Sequence, residues 1–276
     1  MANHLLKLGI TENEAFDHAR MIIDEIQKNY KKEILGSEVY EVVKKWYKSK
    51  GSDLASRINI ISNDFRDVTP LIILLGGVTG VGKSTIAKIL GRRLGVRTIL
   101  GTDLIREVMR SVLSEKLMPT LHQSSYTAYK KSENIFLPAI SPVILGYEEQ
   151  SRKVLTGVEA TITQAIKSKE FVILEGVHLL PSAIHSKIMV DKIVIPFQLY
   201  LEDKAVHLSR LKKREATSMS RTNYSKNFKE IREIHTYLNE NALQQGVTLV
   251  EASNDESAVI SIINKVWDVL LTDKNL

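Results

Sequence analysis

Gly77, four further residues, then Gly82, Lys83 and Ser84 come one residue after the apolar run Leu71–Leu75. Glycines at these positions admit backbone conformations closed to other residues. The N–H groups of Gly77, Val78, Thr79, Gly80, Val81 and Gly82 can therefore turn inward on an anion. A helix opening at Lys83, Ser84 and Thr85 adds the partial positive charge of its first turn. Lys83 then reaches toward the β and γ phosphates of ATP, and the Ser84 hydroxyl is placed to hold Mg²⁺. A strand before, a helix after and the full spacing together read as a phosphate loop rather than a glycine-rich turn.

The remaining motifs narrow what such a loop serves. GTPases add Asp-x-x-Gly, which is absent, and Asn-Lys-x-Asp, whose nearest counterpart "NKVWD" (Asn264–Asp268) is one residue too long and lies in an amphipathic stretch. Motor ATPases follow their third strand with an Asp-Glu pair; here "VILEGVH" supplies Glu175 without a preceding Asp. A small-molecule kinase requires less: an ATP loop, a carboxylate near the acceptor hydroxyl and cations over the transferring group.

Those groups can be named. Asp103, in "LGTDLIREVMR", falls at the carboxyl end of an expected second strand, where ligands of open α/β sheets gather, and can accept the acceptor's hydroxyl proton. Thr102 or Asp103 also suits a helix cap. Arg106 and Arg110 stand one turn apart and can bind an acceptor anion. Glu175 ends an apolar strand and, with Ser84, suits the water shell of Mg²⁺. His178 follows in "GVHLLP", where a lone histidine is read as structural. Arg210 and Arg214, with Arg221 beyond them, fit a basic lid that closes over ATP and stabilises charge on the γ-phosphoryl group. The long connection 113–150 is expected to carry acceptor specificity, with His122, Ser124, Ser125 and Tyr126 offering hydrogen-bonding groups.

To position these groups the chain needs a parallel sheet. From Leu71 onward short apolar runs alternate with helical patterns. Strands are expected at 71–76, 97–102, 171–176, 191–201 and 246–252, and helices at 83–95, 103–115, 151–169, 204–218 and 257–271. The fold class is α/β, a P-loop kinase-type parallel sheet flanked by helices, with a small N-terminal helical region. In that region Thr11 and Glu14 suggest a capping box before the stripe Ala15, Ala19, Ile22, Ile23 and Ile26, and a second helix stops at Gly51. Residues 52–70 read as a connector. The expected division is residues 1–64 and 65–276.

Bulk properties agree. With 276 residues, 43% of them hydrophobic, the chain can bury a sizeable core. Cysteine is absent, which removes disulfides, thiolate metal sites and a thiol nucleophile and fits a cytoplasmic protein. No apolar run is long enough to span a bilayer, and no membrane partner is expected. A net charge of +6 favours anionic partners. Small phosphorylated molecules are preferred to nucleic acid, because the cations are dispersed and aromatics make up only 6% of residues.

"GGVTGVGKSTIAKIL", "TDLIREVMR", "LHQSSY", "EGVHLLP" and the basic lid, in this order, resemble the archaeal 2-phosphoglycerate kinases over about residues 65–255. That resemblance implies transfer of the ATP γ-phosphoryl group to the free hydroxyl of 2-phosphoglycerate, giving 2,3-bisphosphoglycerate. The N-terminal part resembles a truncated ATP-cone, a regulatory nucleotide module whose β-hairpin precedes its helices, whereas here the sequence opens almost at the first helix. A packing or homo-oligomer role for residues 1–60 stands beside nucleotide sensing. Three alternatives stay open: the same chemistry on another phosphorylated polyol such as an inositol phosphate, an ATP-binding regulator without turnover, and a nucleic-acid end kinase.

Overall fold

Ile72, Ile73, Leu74 and Leu75 are all buried, so strand β1 (Ile72–Gly76) is covered on both faces. An unbroken aliphatic run suits the centre of a parallel sheet. The computed structural model describes residues 1–30, 36–62, 70–132, 140–184, 194–217 and 223–272. Around β1 lie β2 (Thr98–Gly101), β3 (Val172–Gly176), β4 (Val194–Tyr200) and β5 (Thr248–Glu251), in the order β2-β3-β1-β4-β5 with every pairing parallel. All five expected strands form, each within its expected range. The α/β class is what the sequence implies.

Register makes the chemistry possible. Leu75 pairs with Glu175 and Gly101 also pairs with Glu175, so β1, β3 and β2 end level with one another. The loop after β1, the Glu175 side chain and the first residues after β2 therefore meet at one edge of the sheet. Chain order reverses direction around β1, and ligands of open α/β sheets bind in the crevice such reversals leave at the strands' carboxyl ends.

Among the described residues the α-helices after β1 are α5 (Lys83–Leu94), α6 (Thr102–Val112), α7 (Pro142–Ser168), α8 (Lys204–Thr217), α9 (Phe228–Gln244) and α10 (Asp255–Thr272). Two departures from expectation have physical causes. Helix α7 opens at Pro142 rather than Ser151, because Ser141 caps it through Val143 N–H and Pro142 has no donor to lose at the first turn. Helix α9 was not expected; Ile231, Ile234, His235, Leu238 and Ala242 form its buried stripe.

Before β1 come a short α1 (Ala2–Leu5), α2 (Glu12–Asn29), α3 (Gly36–Ser49) and α4 (Leu54–Ser62). The capping box at α2 is present: Thr11 Oγ1 accepts from Glu14 N–H at 3.2 Å, and Thr11 N–H donates to Glu14 Oε2 at 2.8 Å. The expected connector 52–70 instead contains α4, with Ile58 buried. These helices rest on the flank of α10. Trp267 Nε1 donates to Lys7 O at 2.7 Å, and Arg57 donates to Leu8 O and to Asn264 Oδ1. Arg93, at the end of α5 and 2% exposed, donates to Glu256 Oε2 at 2.7 Å and more loosely to Glu12 Oε1 at 3.5 Å. That guanidinium joins the start of α2, the end of the helix that follows the phosphate loop, and the first turn of α10.

Candidate active site

The segment between β1 and α5 has the backbone its sequence requires. Gly77, Gly80 and Gly82 have φ of 143°, 86° and 107°. At Gly77 a Cβ would also lie 2.7 Å from Leu199 O, so glycine is needed there twice over, for conformation and for room. Lys83 opens α5 and folds back, its Nζ donating to Val78 O at 2.9 Å across the loop. Burial lowers the Lys83 pKa; the Glu175 and Asp103 carboxylates oppose that shift, and Arg214 adds to it. Both carboxylates are thus close enough for the ammonium to feel them.

Ser84, one residue on, donates to Glu175 Oε1 at 2.7 Å. This hydroxyl–carboxylate pair bridges α5 and β3. Among the described residues no group of three or more His, Asp or Glu side chains is set to cage a metal. A hard cation at Ser84 and Glu175 would share its coordination with phosphate oxygens and water, the usual arrangement for Mg²⁺. Main-chain donors, a buried ammonium and an oxygen pair together suit a nucleoside triphosphate with a divalent cation.

Helix α8 lies against the loop. His207 Nε2 donates to Thr79 O at 2.9 Å, which fixes its tautomer, and burial lowers its pKa. Arg210 donates to Val81 O, Ala252 O and Ser253 O at 3.1, 2.8 and 3.0 Å, tying the loop to the turn after β5. Arg214 donates to Thr79 Oγ1 at 3.2 Å and stacks over Tyr224 at 5.5 Å. A cavity of about 450 Å³ opens between these parts, lined among others by Gly80, Lys83, Ser84, Thr85, Arg210 and Arg214. Lys213 and Asp255 border it as well, and sequence reasoning did not single them out. The signal for Lys213 was its place in "KKRE"; Asp255 carried none beyond opening a helix. Arg221 lies outside the described residues.

On the acceptor side, Asp103 stands in the first turn of α6 with its side chain 70% exposed. Neither Thr102 nor Asp103 caps the helix, since Gly101 is the cap residue and receives no side-chain bond. Arg106 is largely inward and committed to protein partners: Nη1 donates to Leu121 O and Gln123 O, each at 2.8 Å, Nη2 pairs with Glu107 at 2.8 Å, and Nε lies 3.9 Å from Asp103. Arg110 pairs with Glu107 at 2.7 Å on the outer face. The turn held by Arg106, Pro119–His122, leads into the segment with the other expected donors. His122 Nε2 bonds Leu113 O at 2.9 Å. Ser124 and Ser125 are half-buried, and the buried Tyr126 packs edge-on against Tyr224 at 6.0 Å. Tyr224 thereby touches both the acceptor segment and Arg214. Lys83, Ser84, Glu175, Arg210 and Arg214 thus converge on the loop, and the Asp103 carboxylate is felt by the Lys83 ammonium, while Arg106, Arg110 and His122 are engaged with neighbouring protein groups.

His178 is fully buried, with its pKa pushed down to about 4 chiefly by burial. Its Nδ1 lies 2.9 Å from Thr102 Oγ1 and its Nε2 3.1 Å from Gln150 Oε1.

Comparison with known proteins bears on the whole chain. A family model described as an AAA domain matches residues 73–238. A 2-phosphoglycerate kinase of Methanopyrus kandleri is 36% identical over 98% of this chain and 83% of its own length. One of Methanothermobacter thermautotrophicus is 32% identical over 96% and 88%. A shikimate kinase of Acinetobacter baumannii, solved with shikimate, is a looser match, 16% identical with a TM-score of 0.44 over 75% of this chain and 95% of its own. With this identity to the archaeal enzymes along nearly its full length, and a nucleotide-binding phosphate loop between β1 and α5, the chain belongs to the 2-phosphoglycerate kinase family.

Proposed function

We propose that this protein transfers the γ-phosphoryl group of ATP to the hydroxyl of 2-phosphoglycerate, giving 2,3-bisphosphoglycerate and ADP. One observation carries the reading. A phosphate cradle with a buried lysine and an exposed carboxylate, Asp103, stand at the level ends of β1 and β2, the two strands that flank β3, in a chain whose relatives bear this name.

In this mechanism the loop amides and Lys83 hold the phosphates of ATP. Ser84 and Glu175 would hold Mg²⁺, which when bound neutralises charge on the phosphate oxygens. Asp103 accepts the acceptor's hydroxyl proton as the oxygen bonds to the γ-phosphorus and the bond to the ADP oxygen breaks. Arg214, donated from α8 to the loop, meets charge gathering on the transferred group. Arg210 shapes the cradle by holding Val81 to the β5 turn. Arg110, Ser124, Ser125 and Tyr126 would supply donors for the acceptor's phosphate and carboxylate; Arg106 and His122, bonded to the Leu121, Gln123 and Leu113 carbonyls, set the segment that carries them. We assign residues 1–64 a packing role beside the catalytic part 65–276, on the strength of the Arg93 and Trp267 contacts. Lack of cysteine supports a cytoplasmic location.

A panel of phosphorylated hydroxy acids and polyols, inositol phosphates included, tests the assignment through acceptor-dependent ADP release. Turnover is expected with 2-phosphoglycerate. ADP no faster than without acceptor removes it, and preference for a polyol phosphate transfers the same chemistry to that substrate.

A further inference from the structure

A chain of three buried side chains runs behind the acceptor side. Thr102, His178 and Gln150 are each 0% exposed. Gln150 Nε2 lies 2.5 Å from Thr120 O and 2.9 Å from Gln123 O. Two carbonyl acceptors require the amide NH₂ at that end, which leaves Oε1 facing His178 as an acceptor only. His178 Nε2 must therefore carry the ring proton and donate to it. A neutral imidazole then has an acceptor at Nδ1, and the Thr102 hydroxyl donates there. Every direction in the chain is set: Thr102 to His178, His178 to Gln150, Gln150 to the carbonyls of Thr120 and Gln123.

The two ends of this chain are the two halves of the acceptor side. Thr102 precedes Asp103 in the first turn of α6. The Thr120 and Gln123 carbonyls belong to the turn that leads into Ser124, Ser125 and Tyr126, and Gln123 O is also held by Arg106. Tyr147 donates to Val177 O at 2.6 Å and so fixes the backbone one residue before the ring. Room for Thr102 comes from Gly176, where a Cβ would stand 1.7 Å from Thr102 Oγ1. An apolar core residue at 178 would fill the same space without fixing any of these directions.

We infer that His178 is a positioning residue for the acceptor: it orients the Gln150 amide so that the 119–123 turn is held at a fixed place relative to Asp103. This rests on the kinase reading above. Without the imidazole N–H the buried Gln150 oxygen is left without a donor, and any shift of the side chain that satisfies it draws the NH₂ away from the Thr120 and Gln123 carbonyls. The acceptor then meets Asp103 in a loosened geometry, while the phosphate cradle is untouched.

The test compares His178→Phe with His178→Gln, whose carboxamide supplies both an acceptor and a donor. Two readouts are taken on the full chain: steady-state constants for each substrate, and amide hydrogen exchange of residues 119–127. His178→Phe is expected to lower acceptor kcat/KM roughly 10- to 100-fold, the range in which small misplacements act, with the KM for ATP within about twofold. Exchange across 119–127 should rise with no change at 77–85, and His178→Gln should recover most of both effects. Should His178→Phe fail to fold, Thr102→Val breaks the chain at its first link and carries the same readouts. Phe and Gln variants that behave alike, ATP and acceptor constants that fall together, or unchanged exchange at 119–127 would each overturn the inference. If the wild-type protein shows no turnover of 2-phosphoglycerate, the kinase assignment fails on that result, and the exchange measurement still decides the role of His178.

Discussion

Replacing Lys83 by methionine separates a catalytic from a structural role for the most buried cation in the site. The two side chains have similar length, so packing in the loop is kept while the charge is lost. Burial disfavours the ammonium in the folded chain, as the lowered pKa records, and the Lys83 side chain, whose Nζ donates to Val78 O, borders a cavity that water can enter. One hydrogen bond is worth about 0.5–1.5 kcal/mol net, and removing a desolvated charge offsets part of that. The change in stability should therefore stay within about 1 kcal/mol. Activity should respond differently. A fixed donor aimed at developing charge in a site that excludes water contributes about 2.7–4 kcal/mol, so kcat should fall roughly 10²- to 10³-fold. The assay pairs acceptor-dependent ADP release at saturating ATP with thermal melts of the ligand-free protein. A Lys83→Met variant that keeps wild-type kcat, or one whose stability falls as far as its activity, would refute the argument. Comparing wild type with the variant adds a sign: because the folded Lys83 pKa is lowered, wild-type stability should gain on that of Lys83→Met as pH climbs toward the ordinary lysine value of 10.5.

Further outcomes are expected. Asp103→Asn should lower kcat at least tenfold with ATP affinity kept, by order of magnitude for a general base; equal loss of ATP binding, measured by calorimetry, would reassign the residue to nucleotide. Gly176→Ala should displace Thr102 and with it the start of α6, costing about 1–3 kcal/mol of stability by overpacking; an unshifted denaturation midpoint would argue against so close an approach. Glu175→Gln should raise the Mg²⁺ concentration needed for half-maximal rate, and an unchanged metal titration would separate Glu175 from the cation. Burial holds His178 to about 4 and His235 to about 3, below the ordinary 6.5, so unfolding takes up protons and stability should drop as pH falls from about 6.5 toward 4. A melting temperature flat across that interval would contradict both burials.

The parts of the site legible in the sequence are those set by short spacing. The phosphate loop is read from glycines within seven residues, and the strands from unbroken apolar runs. Helix α9 escaped because reading 207–227 as a basic lid drew attention from the Ile231–Ile234–Leu238 stripe that follows, and α4 because nine residues beyond a turn resemble a connector. The Ser141–Pro142 pair was a start signal hidden inside a segment taken as one long loop. Arg106 shows a different limit. Its charge and place on the helix are visible in the sequence, but the carbonyls of Leu121 and Gln123 reach it only after α6 and the 119–123 turn have packed together. Direction in the Thr102–His178–Gln150 chain has the same origin, since donor and acceptor roles were assigned by partners 28 and 76 residues apart.

The Arg93 junction bears on how far the protein can be trimmed. Its guanidinium sits beneath the first helices, its main partner Glu256 is the neighbour of Asp255 at the nucleotide cavity, and Trp267 is capped by the Lys7 carbonyl. A fragment begun at the phosphate-binding strand would bring a sealed cation and an indole into water together with the aliphatic side of the last helix. Shortening the gene to its catalytic segment would thus yield a sticky, poorly soluble product rather than a smaller working enzyme, and the leading helices belong in any version made for crystallisation or assay.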